Sequence, residues 1–277
     1  MLIARVASSI VAIPIIIALV WLGGPFFTLA VSVVAALAAH EAISLLQPNG
    51  SSVQVVLSVT GAFLLVLGAE RGVAAILAVL AFFLMSDLIA YTIQSGQPSA
   101  VARSGLPSLA AALYAGLPIA LLVLERSWSG PFNFVPNNGL RFDFGATWVL
   151  LVLTTVWTVD TLAYAVGRIF GRHLLWPAIS PKKTWEGTLA GVLFGALVTC
   201  AWASAVGQTS AAGFGLGLVI AVAAVAGDLA ESALKRQAGV KDAGQLIPGH
   251  GGILDRIDGL VFSVIVVFLF GTLVGLA

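Results

Sequence analysis

The chain has 277 residues, of which 60% are hydrophobic and only 9% are Asp, Glu, Lys or Arg, with a net charge of +1. Soluble domains carry about 25% charged residues, so this composition excludes an ordinary soluble protein and indicates an all-α polytopic membrane protein. The near-neutral charge argues against nucleic acid as a partner, and the single cysteine, Cys200, excludes an intrachain disulfide and a metal site built on thiolates.

Nine apolar stretches of about 20 residues, the length that crosses roughly 30 Å of hydrocarbon, predict nine transmembrane helices. They cover residues 5–22, 26–46, 53–69, 72–93, 106–124, 146–166, 187–206, 214–236 and 257–276. No small-residue cleavage site follows the first stretch, so we expect a retained helix there rather than a signal peptide. Only residues 70–72 separate the third and fourth stretches, which predicts a tight antiparallel pair.

Several polar features outside the main charged region have simple interpretations. The connection 125–145 is rich in Pro, Asn and Gly and has no periodicity, which is typical of an exposed loop. His40 and Glu41 end the second stretch, and we expect their side chains to extend to the membrane interface. Asp87 is isolated in the fourth stretch, where a hydrogen bond within the helix bundle is favoured over a place in a polar cavity.

Basic residues concentrate in two connections, 167–186 and 237–256, whereas the turn at 207–213 has no charge. Short cytoplasmic loops of membrane proteins are enriched in Lys and Arg, so both connections are predicted to face the cytoplasm. Nine spans then place the N-terminus inside and the C-terminus outside.

Charged residues also divide the chain lengthwise. Residues 1–153 hold ten of the 25 charged residues, scattered, whereas residues 154–258 hold fifteen. We therefore predict a single transmembrane domain over 1–277, with scaffold helices in 1–153 and catalytic helices and cytoplasmic loops in 154–277.

Four polar residues of the eighth stretch, Asp228, Glu231, Ser232 and Lys235, are spaced i, i+3, i+4 and i+7. This spacing places them on one helical face. A carboxylate at membrane depth requires a cation, a metal ion or a water-filled cavity. An internal ion pair between Asp228 and a nearby Lys or Arg is the alternative to a metal site.

Asp255 and Asp258 open the ninth stretch, again on one face. Carboxylates are favoured at helix N-termini, so capping is the simple interpretation, above all for Asp258. Gly249, Gly251 and Gly252 precede them and allow backbone N–H groups to approach phosphate oxygens closely. Paired carboxylates on adjacent helices suit Mg²⁺, which proteins typically hold by one or two carboxylates together with substrate phosphates.

A second charged segment, Ser180-Pro181-Lys182-Lys183-Thr184, precedes the seventh stretch. Helix N-termini bind anions, so this segment is a candidate phosphate site, with the cytoplasmic bias of basic residues as the alternative. No G-x-x-x-x-G-K-[ST] run is present, which excludes a P-loop enzyme.

Glycine recurs at every fourth position of the seventh stretch, at Gly187, Gly191 and Gly195. Small residues at this spacing allow close helix packing. The packing partner is a helix of the same chain or of a homodimer, and the sequence leaves both open.

The segment Ser232–Asp258, SALKRQAGVKDAGQLIPGHGGILDRID, resembles the C-terminal motif of the phosphatidate cytidylyltransferases, or CDP-diacylglycerol synthases. The D-T-x-A-Y…S-P-K-K-T-x-E-G segment and Gly227–Glu231 resemble the same family, so the likeness covers about residues 157–258. It implies an Mg²⁺-dependent enzyme of phospholipid biosynthesis that converts CTP and phosphatidic acid into CDP-diacylglycerol and pyrophosphate. Whether a second, monovalent cation accompanies Mg²⁺ is left open.

The resemblance also implies roles for individual residues. The metal ligands would be Asp228 and Asp255. The catalytic residues would be Lys235, Arg236, Lys241, Asp242, His250, Arg256 and Asp258. The substrate-binding residues would be Asp160, Ser180, Lys182, Lys183, Glu231 and Ser232. Phosphatidate supplies its own nucleophilic phosphate oxygen, so catalysis would rest on positioning and charge neutralisation.

The same resemblance places the protein in the inner membrane of a bacterium, with its site facing the cytoplasm, because CTP arrives from water and the lipid from the leaflet. A CTP-dependent polyprenol-type lipid kinase is the main alternative, and it would release CDP instead of pyrophosphate. A CDP-alcohol phosphatidyltransferase is disfavoured because its D-G-x₂-A-R motif is absent. A transporter would place charges near the midplane on broken helices, whereas here they gather at one membrane face.

Overall fold

The computed structural model describes residues 2–95, 98–131, 134–135, 140–246 and 251–276. Nine α-helices lie within these ranges: α1 (Leu2–Leu22), α2 (Gly24–Leu46), α3 (Ser52–Ala69), α4 (Val73–Ser95), α5 (Pro98–Arg126), α6 (Phe144–Phe170), α7 (Trp185–Trp202), α8 (Ser210–Gln237) and α9 (Leu254–Leu273). Eight of the helices in the described part are long and apolar enough to cross a membrane. The prediction of an all-α polytopic membrane protein is confirmed, and the chain is an integral membrane protein.

A small antiparallel hairpin, absent from the sequence prediction, joins α6 to α7. It consists of β1 (Leu174–Trp176) and β2 (Ser180–Thr184), paired with an irregular register. The carboxylate of Glu186, in the first turn of α7, accepts hydrogen bonds from the backbone N–H groups of Arg172 and His173. Strands of three and five residues are too short for a period-2 pattern to reveal them.

The chain forms two compact units. The first contains Met1–Leu124 and Gln237–Ile257, and the second contains Glu125–Arg236 and Asp258–Ala277. Three helices, α5, α8 and α9, therefore contribute residues to both units. The predicted division into scaffold and catalytic parts at residue 153 stays a prediction.

In the first unit, α3 and α4 form the tight pair that the three-residue turn predicts. Gly72 has a φ of +90°, a left-handed conformation that glycine adopts without steric cost. Asp87 is buried on α4, and Oγ of Ser108 donates a hydrogen bond to its Oδ1 at 3.2 Å. The bond within the bundle, favoured for Asp87 from sequence, is confirmed.

In the second unit, the glycines of α7 face α6. A Cβ atom on Gly191 would lie 2.7 Å from the carbonyl oxygen of Val159, and one on Gly195 would lie 2.7 Å from Val159 Cγ2. Both distances are shorter than any normal packing contact, so the two helices approach as closely as they do because these positions lack side chains. The glycine repeat packs within the chain.

The connection 125–145 departs from the predicted exposed loop. Trp128 and Phe142 are buried, and the Trp128 ring lies edge-on to that of Trp148 with centroids 5.6 Å apart. The guanidinium of Arg126 is paired with Asp143 at 2.8 Å, and Asp143 also caps α6 by accepting the N–H of Ala146. In the described parts of this connection, apolar burial and a cap therefore hold both ends, although the sequence has no periodicity.

Candidate functional site

The polar face of α8 forms as its spacing predicts. Glu231 is fully buried, and its carboxylate is paired with the ammonium of Lys235 one turn later. Oγ of Ser232 donates to Oδ1 of Asp228 at 3.3 Å. A buried carboxylate is costly unless a cation compensates it, and here the helix supplies that cation from its own next turn.

The hairpin and α8 meet through two contacts. The ammonium of Lys183 on β2 is paired with the carboxylate of Asp228, and both side chains are about three-quarters buried. At the end of α8, Nε of Arg236 donates to the carbonyl oxygen of Ile179 at 3.1 Å. The structure thus brings the S-P-K-K-T segment to the charged face of α8. The internal ion pair considered for Asp228 is present, with Lys183 as its partner.

Carboxylates of two other helices of the second unit lie within electrostatic range of Asp258. Asp258 of α9 is close enough to Asp228 and Glu231 of α8 and to Asp160 in the second half of α6 for mutual repulsion. Asp258 is the fifth residue of α9 and accepts the N–H of Gly259, so it lies too deep in the helix to cap it, and the capping interpretation is wrong. Among the described residues, no group of three or more His, Cys, Asp or Glu side chains has the geometry of a metal site.

The remaining predicted residues of the hairpin occupy less enclosed positions. Ser180 is half-buried at the start of β2, and Lys182 is exposed next to Lys183, whose side chain is about three-quarters buried. Thr184, which the sequence interpretation assigned no role, caps α7 by accepting the N–H of Gly187 at 3.2 Å. A threonine directly before a helix is a recognisable N-cap signal, so this residue was within reach of sequence reasoning.

The first unit contains the segment that leads into α9. Lys241, Asp242 and Arg256 are exposed there. Oδ2 of Asp255 accepts hydrogen bonds from the N–H groups of Ala243 at 2.9 Å and Gly252 at 2.8 Å. His250, predicted as catalytic, lies outside the described residues. The N–H of Gly252 is engaged by a carboxylate, so the expected phosphate cradle is wrong at this position.

Glu41 of α2 binds the segment that leads into α9, contrary to expectation. It is 7% exposed, and its two carboxylate oxygens accept the backbone N–H groups of Ile253 and Leu254. The prediction that it extends to the membrane interface is therefore wrong. The physical reason is that the N–H groups at the start of α9 lack intrahelical acceptors, and a carboxylate satisfies them better than water at a buried site.

Most of the predicted site residues belong to the second unit: Asp160, Ser180, Lys182, Lys183, Asp228, Glu231, Ser232, Lys235, Arg236 and Asp258. The others that the structure describes belong to the first unit: Lys241, Asp242, Asp255 and Arg256. Fixed cations next to carboxylates suit a ligand that combines a metal ion with several phosphates, because the carboxylates bind the metal and the cations neutralise the phosphate oxygens.

Comparison with known proteins gives consistent findings. The model of the cytidylyltransferase family matches residues 3–274. A protein of Synechocystis sp. named phosphatidate cytidylyltransferase is 34% identical over 281 residues, which cover 96% of this chain and 95% of that protein. Proteins of the same name from Brucella abortus and Mycobacterium bovis are 38% and 42% identical over 178 and 130 residues, covering 58% and 47% of this chain and 64% and 42% of theirs.

Proposed function

This chain belongs to the cytidylyltransferase family, and on that basis we propose that it transfers CMP from CTP to phosphatidic acid. The products are CDP-diacylglycerol, a precursor for phospholipid biosynthesis, and pyrophosphate. The observation that carries the proposal is the ion pair between Lys183 and Asp228, because it joins the two family-like motifs in one place. The similarity to the Synechocystis protein over nearly the whole of both chains supports it.

The proposed reaction needs no nucleophile from the protein. A phosphate oxygen of phosphatidate attacks the α-phosphorus of CTP, one P–O bond forms, and the bond to the β-phosphate breaks to release pyrophosphate. The protein's contribution is to hold two polyanions together and to neutralise the charge that develops on the oxygens. Lys183, Arg236, Lys241 and Arg256 are the cations we assign to the phosphates of the two substrates, and Lys182 and Ser180 of the hairpin are further substrate-binding candidates.

We propose Mg²⁺ as the metal ion, with Asp228 and Asp255 as its protein ligands. The donor set fits, since hard carboxylate oxygens and substrate phosphates are the ligands that Mg²⁺ prefers. When bound, the ion would neutralise charge on the CTP phosphates. Asp160, Asp228 and Glu231 lie within electrostatic range of Asp258, and this group of carboxylates, two of them already paired with Lys183 and Lys235, is compatible with a bound divalent cation.

Replacing either proposed ligand tests the metal assignment. Asp228→Asn and Asp255→Asn should each abolish turnover and the Mg²⁺-dependent rise in melting temperature with CTP, because a ligand stabilises only the state that binds it. Melting is measured for each variant with and without Mg²⁺ and CTP. A variant that keeps both the full ligand-induced shift and measurable turnover removes that residue from the metal site.

The activity itself is tested with purified protein, CTP labelled in the α-phosphate, phosphatidate and Mg²⁺. Label in a lipid product together with stoichiometric pyrophosphate is the expected result. Release of CDP with phosphorylation of a polyprenol would instead identify the lipid-kinase alternative. Omission of phosphatidate is the control, and it should prevent pyrophosphate release.

We further propose that the protein resides in the inner membrane of a bacterium with loops 167–186 and 237–256 in the cytoplasm. The density of Lys and Arg in both loops supports this orientation. Single cysteines in either loop, in a protein whose Cys200 is replaced by Ala, should resist an impermeant thiol reagent in sealed spheroplasts and react after lysis. Labelling in sealed spheroplasts would show that the labelled loop faces the outside and that the proposed orientation is wrong. A homodimer is a separate proposal, measured as the mass of the detergent-solubilised protein.

A further inference from the structure

Glu41 is a buried carboxylate that the proposed reaction does not use. It lies in the penultimate turn of α2, 212 residues before its first hydrogen-bond partner in the sequence. Its Oε1 accepts the N–H of Ile253 at 3.1 Å, and its Oε2 accepts the N–H of Leu254 at 2.7 Å. Hydrogen bonds to an ionised acceptor are roughly twice as strong as those between neutral groups, so this contact fixes the start of α9 firmly.

Two glycines enclose the Glu41 carboxyl group. A Cβ atom on Gly252 would lie 2.5 Å from Oε1, and one on Gly244 would lie 2.7 Å from Cδ. Neither position therefore tolerates a side chain while Glu41 keeps its place. The Glu41 carboxyl group therefore packs against the backbone of both Gly244 and Gly252.

Asp255 also binds the backbone on this side of the site. Its Oδ2 accepts the N–H of Gly252, and the next two N–H groups along the chain donate to Glu41. Three successive backbone donors are thus shared between two carboxylates, and Asp255 also accepts the N–H of Ala243. Any movement of the 252–254 backbone would displace the Asp255 carboxylate along with it.

We propose that Glu41 is a positioning residue that fixes the orientation of Asp255 by clamping the backbone of residues 252–254. The effect of Glu41 on turnover rests on the proposed function, in which Asp255 binds Mg²⁺. The effect of Glu41 on the 252–254 backbone is independent of that function. Loss of the clamp therefore weakens the response to Mg²⁺ through Asp255, without contact between Glu41 and either substrate.

The test uses the full-length protein with Glu41→Gln and Gly244→Ala as two independent variants. The amide of Glu41→Gln keeps the shape but presents an NH₂ group to one of the two backbone donors. Gly244→Ala keeps the Glu41 side chain unmodified but displaces its carboxyl group with a methyl group. Glu70→Gln is the matched control, because Glu70 is also a carboxylate of the first unit whose hydrogen bond, from Thr28 at 2.7 Å, is remote in sequence from α9.

Two measurements are made on each variant. Amide hydrogen exchange without metal or nucleotide should be at least tenfold faster at residues 252–254 in both test variants, with the rest of the first unit within twofold of the unmodified protein. The Mg²⁺ concentration for half-maximal turnover should rise tenfold or more, with the KM for phosphatidate unchanged. Glu70→Gln should alter neither quantity.

The outcomes separate the two proposals. Unchanged exchange at 252–254, or acceleration spread through the whole unit, overturns the clamp on the backbone. Faster local exchange with an unchanged Mg²⁺ requirement overturns the role of Glu41 in positioning Asp255. If Glu41→Gln does not fold, Gly244→Ala decides by the same criteria. If the unmodified protein makes no CDP-diacylglycerol, the proposed function fails, whereas the exchange result still tests the clamp on the backbone.

Discussion

Replacing Lys183 with Met should destabilise the protein by removing the cation that compensates Asp228. The two side chains are 23% and 24% exposed. Exposed ion pairs contribute about 0.2–1 kcal/mol, whereas removal of one partner from a fully buried pair costs about 3–5 kcal/mol. A pair that is three-quarters buried lies between these limits, so we expect a loss of about 2–3 kcal/mol. For a chain of this size that corresponds to a fall in Tm of about 4–12 °C.

A double-mutant cycle isolates the ion pair from the other effects of the substitution. Asp228→Asn combined with Lys183→Met should cost less than the two single losses added together, with a coupling of about 1–2 kcal/mol. Lys182 provides the control, since it is the exposed neighbour on the same strand with the same charge. Lys182→Met combined with Asp228→Asn should be additive to within about 0.5 kcal/mol.

Tm is measured by intrinsic tryptophan fluorescence in one detergent at fixed lipid content, without Mg²⁺ or nucleotide. Two heating rates are compared, because irreversible unfolding makes Tm depend on the heating rate. The reasoning is refuted if the stability losses of Asp228→Asn and Lys183→Met simply add, as those of Asp228→Asn and Lys182→Met are expected to do. The hairpin would then not be held to α8 by this ion pair.

Three further outcomes are expected. Lys241→Ala and Arg256→Ala should each lower kcat about a hundredfold or more with an unchanged melting curve, because one preorganised charge donor typically contributes ~10²–10³; near-normal turnover in both variants would leave only topological roles for these cations. Gly191→Ala should lower Tm by forcing a methyl group to within 2.7 Å of a carbonyl oxygen, whereas Gly215→Ala, with open space at the same kind of helical position, should not. Asp143→Ala should cost about 1–2 kcal/mol in the same melting assay by removing the cap of α6 together with the carboxylate that pairs with Arg126, and no loss would show that neither contact stabilises the protein.

The nine helices and their approximate limits followed from sequence alone, because the hydrocarbon thickness requires each span to be about 20 apolar residues long. Eight of the described helices are long and apolar enough to cross a membrane, against the nine spans predicted. The predicted boundaries differ from the observed ones by a few residues in most helices and by eight at the start of α5, which begins at Pro98. A helix that extends past the hydrocarbon need not remain apolar, so hydropathy does not mark where it begins.

Local periodicity also predicted part of the site. The spacing of Glu231 and Lys235 is one helical turn, so their pairing was readable once α8 was recognised. The family-like motif pointed to cytidylyl transfer, since the charges in it follow a fixed order along the chain. These inferences depend only on residues that are neighbours in sequence or on one helix face.

Tertiary structure alone decided which distant groups meet. Nothing in the sequence distinguished Lys183 from the other nearby cations as the partner of Asp228. Nor did the sequence indicate that Glu41 binds the start of α9 instead of extending to the membrane interface. Such contacts carry no periodic signal, because their partners are 45 and about 210 residues apart. A buried carboxylate takes whichever donors the packed helices bring within 3 Å, and that choice is made by the fold as a whole.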